Sequence, residues 1–164
     1  MDFSQAYEEH VWDVYGFLAY RTRSRAEAED LTQETFERAL KAWPRFDPAR
    51  GSARSWLLVI ARNTYIDAKR REGARPRLAA ADPGLDQAGE EDVAAHFGPD
   101  PELAAALGRL KRREREAIAL RFGGDLTTAQ VAEVLGISVA NAQQVLSRAL
   151  KRLRSILGDK RPVA

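Results

Sequence analysis

The stretch TTAQVAEVLGISVANAQQVLSRALKRLR, residues 127–154, has the residue pattern of two helices joined by a short turn. Thr127 and Gln130 have the spacing of a capping box at a helix N-terminus, and Gly136 interrupts the apolar periodicity that follows. Ser138 is a residue type that caps helices, and the helix after it is predicted to extend to about Leu157. Two helices joined by a short glycine-containing turn predict a helix-turn-helix, with an ordinary helical hairpin as the alternative.

The second helix of this stretch is predicted to have two chemically different faces. At 3.6 residues per turn, the apolar stripe consists of Ala142, Leu146, Ala149 and Leu153. The opposite face carries Gln144, Ser147, Arg148, Lys151 and Ser155, with Asn141 and Gln143 at its edges. Asn and Gln side chains can bond N6 and N7 of adenine together, and Arg and Lys hold phosphates. The pattern therefore favours DNA binding over a merely solvated polar face.

The N-terminal part of the chain predicts three packed helices. Residues 4–23 carry apolar side chains at helical spacing, and Ser24 with Glu27 has the spacing of a second capping box. Pro44 ends that second helix, Ser52 caps the third and Gly73 is its expected end. No strand alternation is visible. The fold class is therefore predicted as all-α, with two small helical domains at residues 1–73 and 100–164.

Charge divides the chain in the same places. Residues 1–72 carry 12 basic and 12 acidic side chains, residues 73–102 carry two and seven, and residues 103–164 carry 12 and five. The middle segment also collects Pro, Gly and Ala, which predicts a flexible acidic linker at residues 74–99. The C-terminal domain begins with the cap Asp100-Pro101 and is basic, and basic surfaces favour polyanions through counterion release.

Composition excludes several function classes. The chain has no Cys and only two His, so disulfides, thiolate catalysis and a Cys- or His-based metal site are not expected. No nucleophile–base set or glycine-rich phosphate loop appears, and we expect no catalytic residues and no cofactor. No apolar run approaches membrane-spanning length and the N-terminus is acidic, which predicts a cytoplasmic protein without membrane insertion.

Three segments, in their order and spacing, resemble the extracytoplasmic-function (ECF) group of bacterial sigma-70 family sigma factors. They are AEDLTQETFERALKAWPRFDP (residues 28–48), SWLLVIARNTYIDAKRRE (55–72) and EREAIALRF…LTTAQVAEVLGIS (114–138). The resemblance implies regions 2 and 4 joined by a linker, with binding to core RNA polymerase through the beta-prime clamp and beta flap. It also implies promoter DNA as a ligand, and it leaves open an anti-sigma partner and a linker path through the polymerase.

The resemblance also implies which residues of this chain form the binding sites, from their positions in the matching segments. It implies that the polymerase-docking residues are Asp30, Leu31, Gln33, Glu34 and Phe36, although the apolar ones also suit a helical core. It implies that the −10 DNA is bound by Phe46, Asp47, Arg50, Ser52, Arg54, Arg62, Asn63, Lys69, Arg70 and Arg71. Asp67 can pair with Arg70 or Arg71, which is a purely structural role. Trp56, Leu57, Ile60, Tyr65 and Ile66 are predicted as core.

The resemblance assigns the last long helix to the −35 element. The implied −35 residues are Thr128, Ser138, Ala140, Asn141, Gln143, Gln144, Ser147, Arg148, Lys151 and Arg152. Many relatives carry Lys or Arg just after the position of Ser138, whereas this chain has Ala, Asn and Gln there. Val145 is predicted to face the core. The alternative function is a stand-alone helix-turn-helix regulator that does not recruit polymerase, and an enzyme is the least favoured class.

Overall fold

The computed structural model describes residues 1–74 and 98–158, and this part of the chain is helical and contains no strand. The N-terminal module consists of α1 (Phe3–Arg21), α2 (Arg25–Ala42) and α3 (Ala53–Ala74), with 3-10 turns at Trp43–Arg45 and Pro48–Arg50. The C-terminal module consists of α4 (Pro101–Leu107), α5 (Arg112–Ile118), α6 (Thr128–Leu135) and α7 (Val139–Leu157). The prediction of an all-α fold is confirmed.

Helix ends follow the local sequence signals in most places. Asp100 caps α4 by accepting the Leu103 N–H at 2.7 Å, with Pro101 as the first helical residue. Ser52 Oγ accepts the Ser55 N–H at 3.1 Å at the start of α3. α3 continues through Gly73 to Ala74, so the predicted stop at Gly73 is one residue early. The predicted acidic linker lies largely outside the described residues.

The predicted capping box at the start of α2 is only half formed. Ser24 Oγ accepts the Glu27 N–H at 3.1 Å, as the pattern requires. The Glu27 carboxylate does not return to the Ser24 backbone and instead accepts a hydrogen bond from Lys69 Nζ at 3.0 Å. An ammonium partner on α3 therefore takes the carboxylate that the local pattern assigns to the cap.

A π-helical turn at Ala119–Gly123 extends α5 and ends in the two glycines of the sequence GGD. The Gly124 N–H bonds the Ala119 carbonyl at 2.9 Å, five residues back, which is the π-helical pattern. Asp125 follows with φ 57°, the one non-glycine residue of the described chain in the left-handed region. This turn directs the chain from α5 into the helix-turn-helix.

The helix-turn-helix forms as its sequence predicts. Thr127 and Gln130 make the complete reciprocal capping box of α6. Gly136 adopts φ 68°, and Ser138 Oγ accepts the Asn141 N–H at 3.1 Å to cap α7. Ala132, where α6 and α7 cross, is almost completely buried.

The two modules share one hydrophobic core rather than standing apart. The π-turn packs along α1, and α6 lies against α3. Buried side chains of the N-terminal module, such as Phe17 and Leu58, belong to the same cluster as Leu120 and Leu126 of the C-terminal module. None of the described helices is long and apolar enough to cross a lipid bilayer.

Candidate nucleic-acid interface

The outward face of α7 is exposed along its whole length. The buried residues of this helix are Ala142, Leu146, Ala149 and Leu153, the predicted apolar stripe. The predicted −35 residues from position 138 onward are all exposed, namely Ser138, Ala140, Asn141, Gln143, Gln144, Ser147, Arg148, Lys151 and Arg152. Thr128, at the start of α6, is partly buried. The helix therefore presents amide groups in its first turns and cations further along.

A cleft of about 380 Å³ lies between α5 and α7, and we call it the cationic cleft. Its lining residues are Lys111, Arg113, Glu114, Val145, Arg148 and Arg152. The Glu114 side chain is 7% exposed and accepts a hydrogen bond from Arg152 Nε at 3.0 Å, which fixes that guanidinium beside the outward face. Val145, predicted as core, is half-buried and contributes to this lining.

Lys111 and Arg113 are candidate phosphate-binding residues that the sequence reasoning missed. They precede the helix-turn-helix by more than a dozen positions, so the pattern of that motif does not include them. Both are exposed, and the fold brings them to the same cleft as Arg148. The available signal was the basic run KRRER, residues 111–115.

The loop between α2 and α3 is built around stacked aromatic rings. The Phe46 ring stacks on Trp43 with centroids 4.9 Å apart and an interplanar angle of 20°. Trp56 contacts both rings, at 5.2 Å from Phe46 and 5.7 Å from Trp43. Trp56, predicted as core, is half-buried and packs against the hydrophobic core. The loop thus offers aromatic surface of the kind on which unpaired bases stack.

Polar groups of the same loop lie at the surface. The Asp47 side chain accepts the Ala49 N–H at 2.9 Å, which caps the 3-10 turn, and Arg50 is exposed beside it. Ser52 is exposed while its hydroxyl caps α3. Of the predicted −10 residues, Phe46, Asp47, Arg50 and Ser52 are therefore brought together in one place.

Four of the six predicted −10 residues on α3 have carboxylate partners. Arg54 Nε bonds Asp13 at 2.9 Å, and Arg62 Nε bonds Glu116 at 2.6 Å. Lys69 Nζ lies 3.0 Å from Glu27 and 3.2 Å from Glu72, and Arg71 lies 3.3 Å from Glu34. Asn63 and Arg70 are exposed. Each of these four cations therefore forms an ion pair with a carboxylate on another helix, namely Asp13, Glu116, Glu27 or Glu34.

The structure corrects the predicted partner of Asp67. This carboxylate bonds Arg38 of α2 at 2.8 Å, not Arg70 or Arg71. The hydrogen bond from Arg38 holds the pKa of Asp67 below its usual range, and the same bond raises the pKa of Arg38. Arg38 also bonds Glu34 at 2.7 Å, so α2 and α3 are tied by a short charged network.

Burial and hydrogen bonding act in opposite directions on Lys69. Burial alone disfavours the ammonium, but the hydrogen bonds to Glu27 and Glu72 outweigh it and raise the pKa of Lys69. Lys69 therefore stays charged, and its Nζ also lies 5.5 Å from the centre of the Tyr65 ring.

An apolar groove of about 520 Å³ lies between α1 and α2, and we call it the aromatic groove. It is lined by Phe3, Tyr7, Val11, Trp12, Tyr15, Glu29, Thr32, Gln33, Phe36, Glu37 and Leu40. Tyr7, Trp12 and Leu40 are large hydrophobic residues that remain exposed, Leu40 to 56%. The exposed carboxylates Glu29 and Glu37 make the lining acidic. Such a surface suits a helix with apolar side chains and basic flanks.

The predicted polymerase-docking residues divide between two faces of α2. Gln33 and Phe36 line the aromatic groove, where the Phe36 ring meets Tyr7 at 4.8 Å. Leu31 and Phe36 are each 6% exposed and belong to the hydrophobic core, which confirms the core alternative for both apolar side chains, although Phe36 also lines the groove. Glu34 is directed to Arg38 and Arg71 instead, and Asp30 is exposed.

Comparison with known families finds two matches, in the order of the two modules. The family model described as sigma-70 region 2 matches residues 6–75. The family model described as sigma-70 region 4 matches residues 106–155. Together the two regions account for well over half of the chain.

Curated relatives match over shorter stretches. The probable RNA polymerase sigma-C factor of Mycobacterium bovis is 54% identical over 65 residues, 40% of this chain and 34% of that protein. The ECF RNA polymerase sigma factor SigX of Bacillus subtilis is 37% identical over 70 residues, 43% of this chain and 36% of that protein. The chain thus spans about a third of the length of these relatives.

Solved structures match the whole fold. The sigma factor RpoE, solved in complex with the anti-sigma factor NepR from Bartonella quintana, gives a TM-score of 0.74 at 24% identity. That match covers 98% of this chain and 99% of the other, and at this identity it shows the fold alone. CnrH, solved with the cytosolic domain of CnrY, gives a TM-score of 0.68 at 25% identity, covering 97% and 89%.

Proposed function

Because this chain belongs to the sigma-70 family, in its ECF group, we propose that it is an RNA polymerase sigma factor that directs promoter-specific initiation. The observation that carries the proposal is the presence of both family regions in one chain, each with an exposed surface suited to its task. It acts by binding and not by catalysis, and its place of action is the cytoplasm, where polymerase meets DNA.

The aromatic groove is the proposed docking surface for core polymerase. Exposed aromatic and aliphatic side chains, with an acidic rim, fit an apolar helix that carries basic flanks. The beta-prime clamp helices are the proposed partner, bound by Gln33 and Phe36 of the predicted set together with Leu40. Leu31 supports this surface from the core.

The −10 element is the proposed ligand of the N-terminal module, residues 1–73. Separated strands expose base faces, which stack on aromatic side chains, while cations follow the phosphates. Phe46 with its stacked neighbour Trp43 supplies such a face, and Arg50 supplies an exposed cation next to it. Arg70 and Asn63 continue the polar surface along α3.

The −35 element is the proposed ligand of the C-terminal module, residues 100–164, which we also expect to contact the beta flap. α7 enters the major groove with Asn141, Gln143 and Gln144 at base edges, a set that favours adenines. Arg148 and the cationic cleft then hold the phosphates. An anti-sigma partner is an additional proposal, supported by the solved neighbour RpoE, which is in complex with the anti-sigma factor NepR.

Reconstituted transcription tests the proposal. Core polymerase with the purified chain is expected to produce promoter-specific transcripts from a library of templates. Leu40→Asp places a charge in the aromatic groove at an exposed position, so it is expected to abolish core binding while the fold persists. Ala105→Asp, at an exposed position of α4, is the matched control and is expected to keep activity.

Two results would overturn this assignment. One is the absence of any promoter-specific transcript with core polymerase, while the chain alone retards palindromic DNA, which would indicate a stand-alone regulator. The other is equal core affinity of the Leu40→Asp and Ala105→Asp variants, which would remove the aromatic groove as the docking surface.

A further inference from the structure

The last residue of α1 is a buried arginine. Arg21 is 7% exposed, and its Cζ lies 4.5 Å from the centre of the Tyr65 ring of α3, which holds the guanidinium from one side. Its Nε is the one buried side-chain polar atom that has no hydrogen-bond partner within residues 1–74 and 98–158. Buried donors without a partner are rare in folded proteins, so this one requires an explanation.

Three further arginines lie near Arg21. Arg115 of α5 donates from Nε to the carbonyl oxygen of Tyr20, the residue before Arg21, at 3.2 Å. Arg112 acts electrostatically on Arg21, and Arg23 acts on Arg115. Arg23 and Arg112 are exposed, whereas Arg115 is half-buried. We call Arg21, Arg23, Arg112 and Arg115 the arginine cluster.

Carboxylates do not balance the arginine cluster. Glu116 attracts Arg21, but its side chain is already bonded to Arg62, with Nε and oxygen 2.6 Å apart. In the part of the chain that the structure describes, no member of the cluster forms an ion pair with a carboxylate. The cluster therefore carries a net positive charge that its surroundings leave uncompensated.

Burial and mutual repulsion both disfavour the charged forms of the two inner arginines. Burial lowers the pKa of Arg21, and Arg112 lowers it further. Burial, followed by Arg21 and Arg23, lowers the pKa of Arg115. An anion placed between these guanidinium groups would offset the repulsion and supply hydrogen-bond acceptors.

The chemistry of the cluster favours a compact ligand with two phosphates. The planar fork of arginine donates two parallel hydrogen bonds to a phosphate. One phosphate monoester carries a charge of about −1.5 to −2 at pH 7, so four guanidinium groups match two linked phosphates better than one. Because Arg21 is buried and Arg112 is exposed, the ligand must extend inward from the surface. A small anion can do so, whereas the rigid backbone of a DNA duplex would contact only the exposed arginines.

We propose that the arginine cluster is a binding site for a diphosphate group, carried either by inorganic pyrophosphate or by a nucleotide. One phosphate contacts Arg21 and Arg115, and the other contacts the exposed pair, Arg23 and Arg112. The ligand gives the Arg21 guanidinium the anionic acceptor that it lacks. This site goes beyond the proposed function, because no contact with polymerase or promoter is assigned to these residues.

Calorimetric titration of the full chain with pyrophosphate, at fixed ionic strength and without divalent cations, tests the site. Arg112→Gln removes one exposed guanidinium and is expected to weaken pyrophosphate binding about tenfold, the effect of one lost charge-assisted hydrogen bond. Arg109→Gln is the matched control, since it makes the same charge change at an exposed arginine outside the cluster. Salt screening limits its expected effect to less than about twofold.

A substitution at an inner position tests the geometry of the site. Arg115→Lys keeps the positive charge but loses the planar fork, so it is also expected to weaken pyrophosphate binding. Its readout is the rise in Tm that pyrophosphate causes, which reports binding even if the substitution changes the Tm of the free protein. This rise is expected to be smaller than in the wild type.

A nucleotide titrated in the same way distinguishes the two sources of the diphosphate. GDP carries the same group with a nucleoside attached. Tighter binding of GDP than of pyrophosphate assigns the site to a nucleotide, and equal or weaker binding assigns it to the inorganic anion. Both results require the same loss of affinity in Arg112→Gln.

Other outcomes would contradict the proposal. Equal pyrophosphate affinities of Arg112→Gln and Arg109→Gln would exclude the cluster as the site. Sulfate that binds as tightly as pyrophosphate at the same ionic strength would indicate attraction by charge alone. A short DNA duplex that displaces pyrophosphate from the wild-type chain would identify a nucleic-acid contact instead. None of these measurements uses polymerase or a promoter, so the inference can fail while the proposed function stands, and the reverse.

Discussion

Replacing Gly136 by Ala tests how the turn of the helix-turn-helix is held. Gly136 adopts φ 68° at the C-terminus of α6, where its N–H bonds the Glu133 carbonyl at 3.2 Å. A Cβ built at this position meets no other atom within 4 Å. The substitution therefore adds no clash, and its whole cost is the backbone conformation forced on an L-residue.

That cost can be estimated from two opposing effects. A left-handed conformation costs a non-glycine residue about 1–2 kcal/mol. Replacing glycine also lowers the conformational entropy of the unfolded chain, which stabilises the folded state by about 0.4–1 kcal/mol. The net loss in the free energy of unfolding is therefore about 1 kcal/mol, or about 2–4 °C in Tm for a chain of this size. Gly136→Asn is expected to lose less, because Asn tolerates the left-handed region better.

Urea unfolding followed by circular dichroism measures this loss. Gly108→Ala is the control, since Gly108 has a right-handed φ of −63° and a Cβ there makes only ordinary contacts, at 3.4 Å or more. A loss of about 3 kcal/mol or more for Gly136→Ala would refute the reasoning, because only a steric clash or a broken packing contact produces such a value. Equal losses for the Ala and Asn variants would also refute it, since the conformational explanation requires a difference between them.

Three further predictions concern DNA contacts and charge. Gln144→Ala is expected to change base preference in a −35 library by about 1–3 kcal/mol at one position, and an unchanged preference would remove its reading role. Arg148→Ala and Lys111→Ala are each expected to weaken DNA binding evenly across sequences, and to reduce by about 1 the slope of log affinity against log salt concentration, measured by titration in increasing salt. A loss of affinity for some sequences only would contradict phosphate contact. The pKa of Asp67 is lowered in the folded state, so its contribution to stability is present above its ordinary pKa and is lost as pH falls through the folded value. The difference in unfolding free energy between wild type and Asp67→Asn should therefore vanish in acid, and a difference that persists there would exclude the Arg38 pair as its cause.

Local signals predicted the helices and the outward face of α7 because they depend on residues three or four positions apart. The reciprocal cap of Thr127 and Gln130, the left-handed turn at Gly136 and the cap at Ser138 all involve neighbours in sequence. The buried stripe of α7 follows from helical periodicity in the same way. For such features the physical cause lies entirely within the segment, and the sequence is sufficient to identify it.

Tertiary partners were not predictable from the same signals. Asp67 has two arginines nearby in sequence, yet it pairs with Arg38 because α2 and α3 pack side by side. Glu27 bonds Lys69 of α3 instead of the Ser24 backbone because the same two helices pack side by side. The hydrophobic core that the two modules share was likewise not predicted, because the sequence pattern indicates only two helical segments and a linker. Each depends on an arrangement of elements that periodicity does not encode.

The scarcity of positive charge in the first turns of α7 is explained by this arrangement. In the proposed complex, bases are read there by amide groups, which need exposure and not charge. The cations that hold phosphates are supplied by a different element, since Lys111 and Arg113 at the start of α5 meet Arg148 in the cationic cleft. Because Glu114 keeps Arg152 beside them, the proposed phosphate grip is pre-organised by the fold of the C-terminal module. Sequence specificity and affinity are thus assigned to different helices, and substitutions in α5 should change how tightly this protein binds DNA without changing which sequence it prefers.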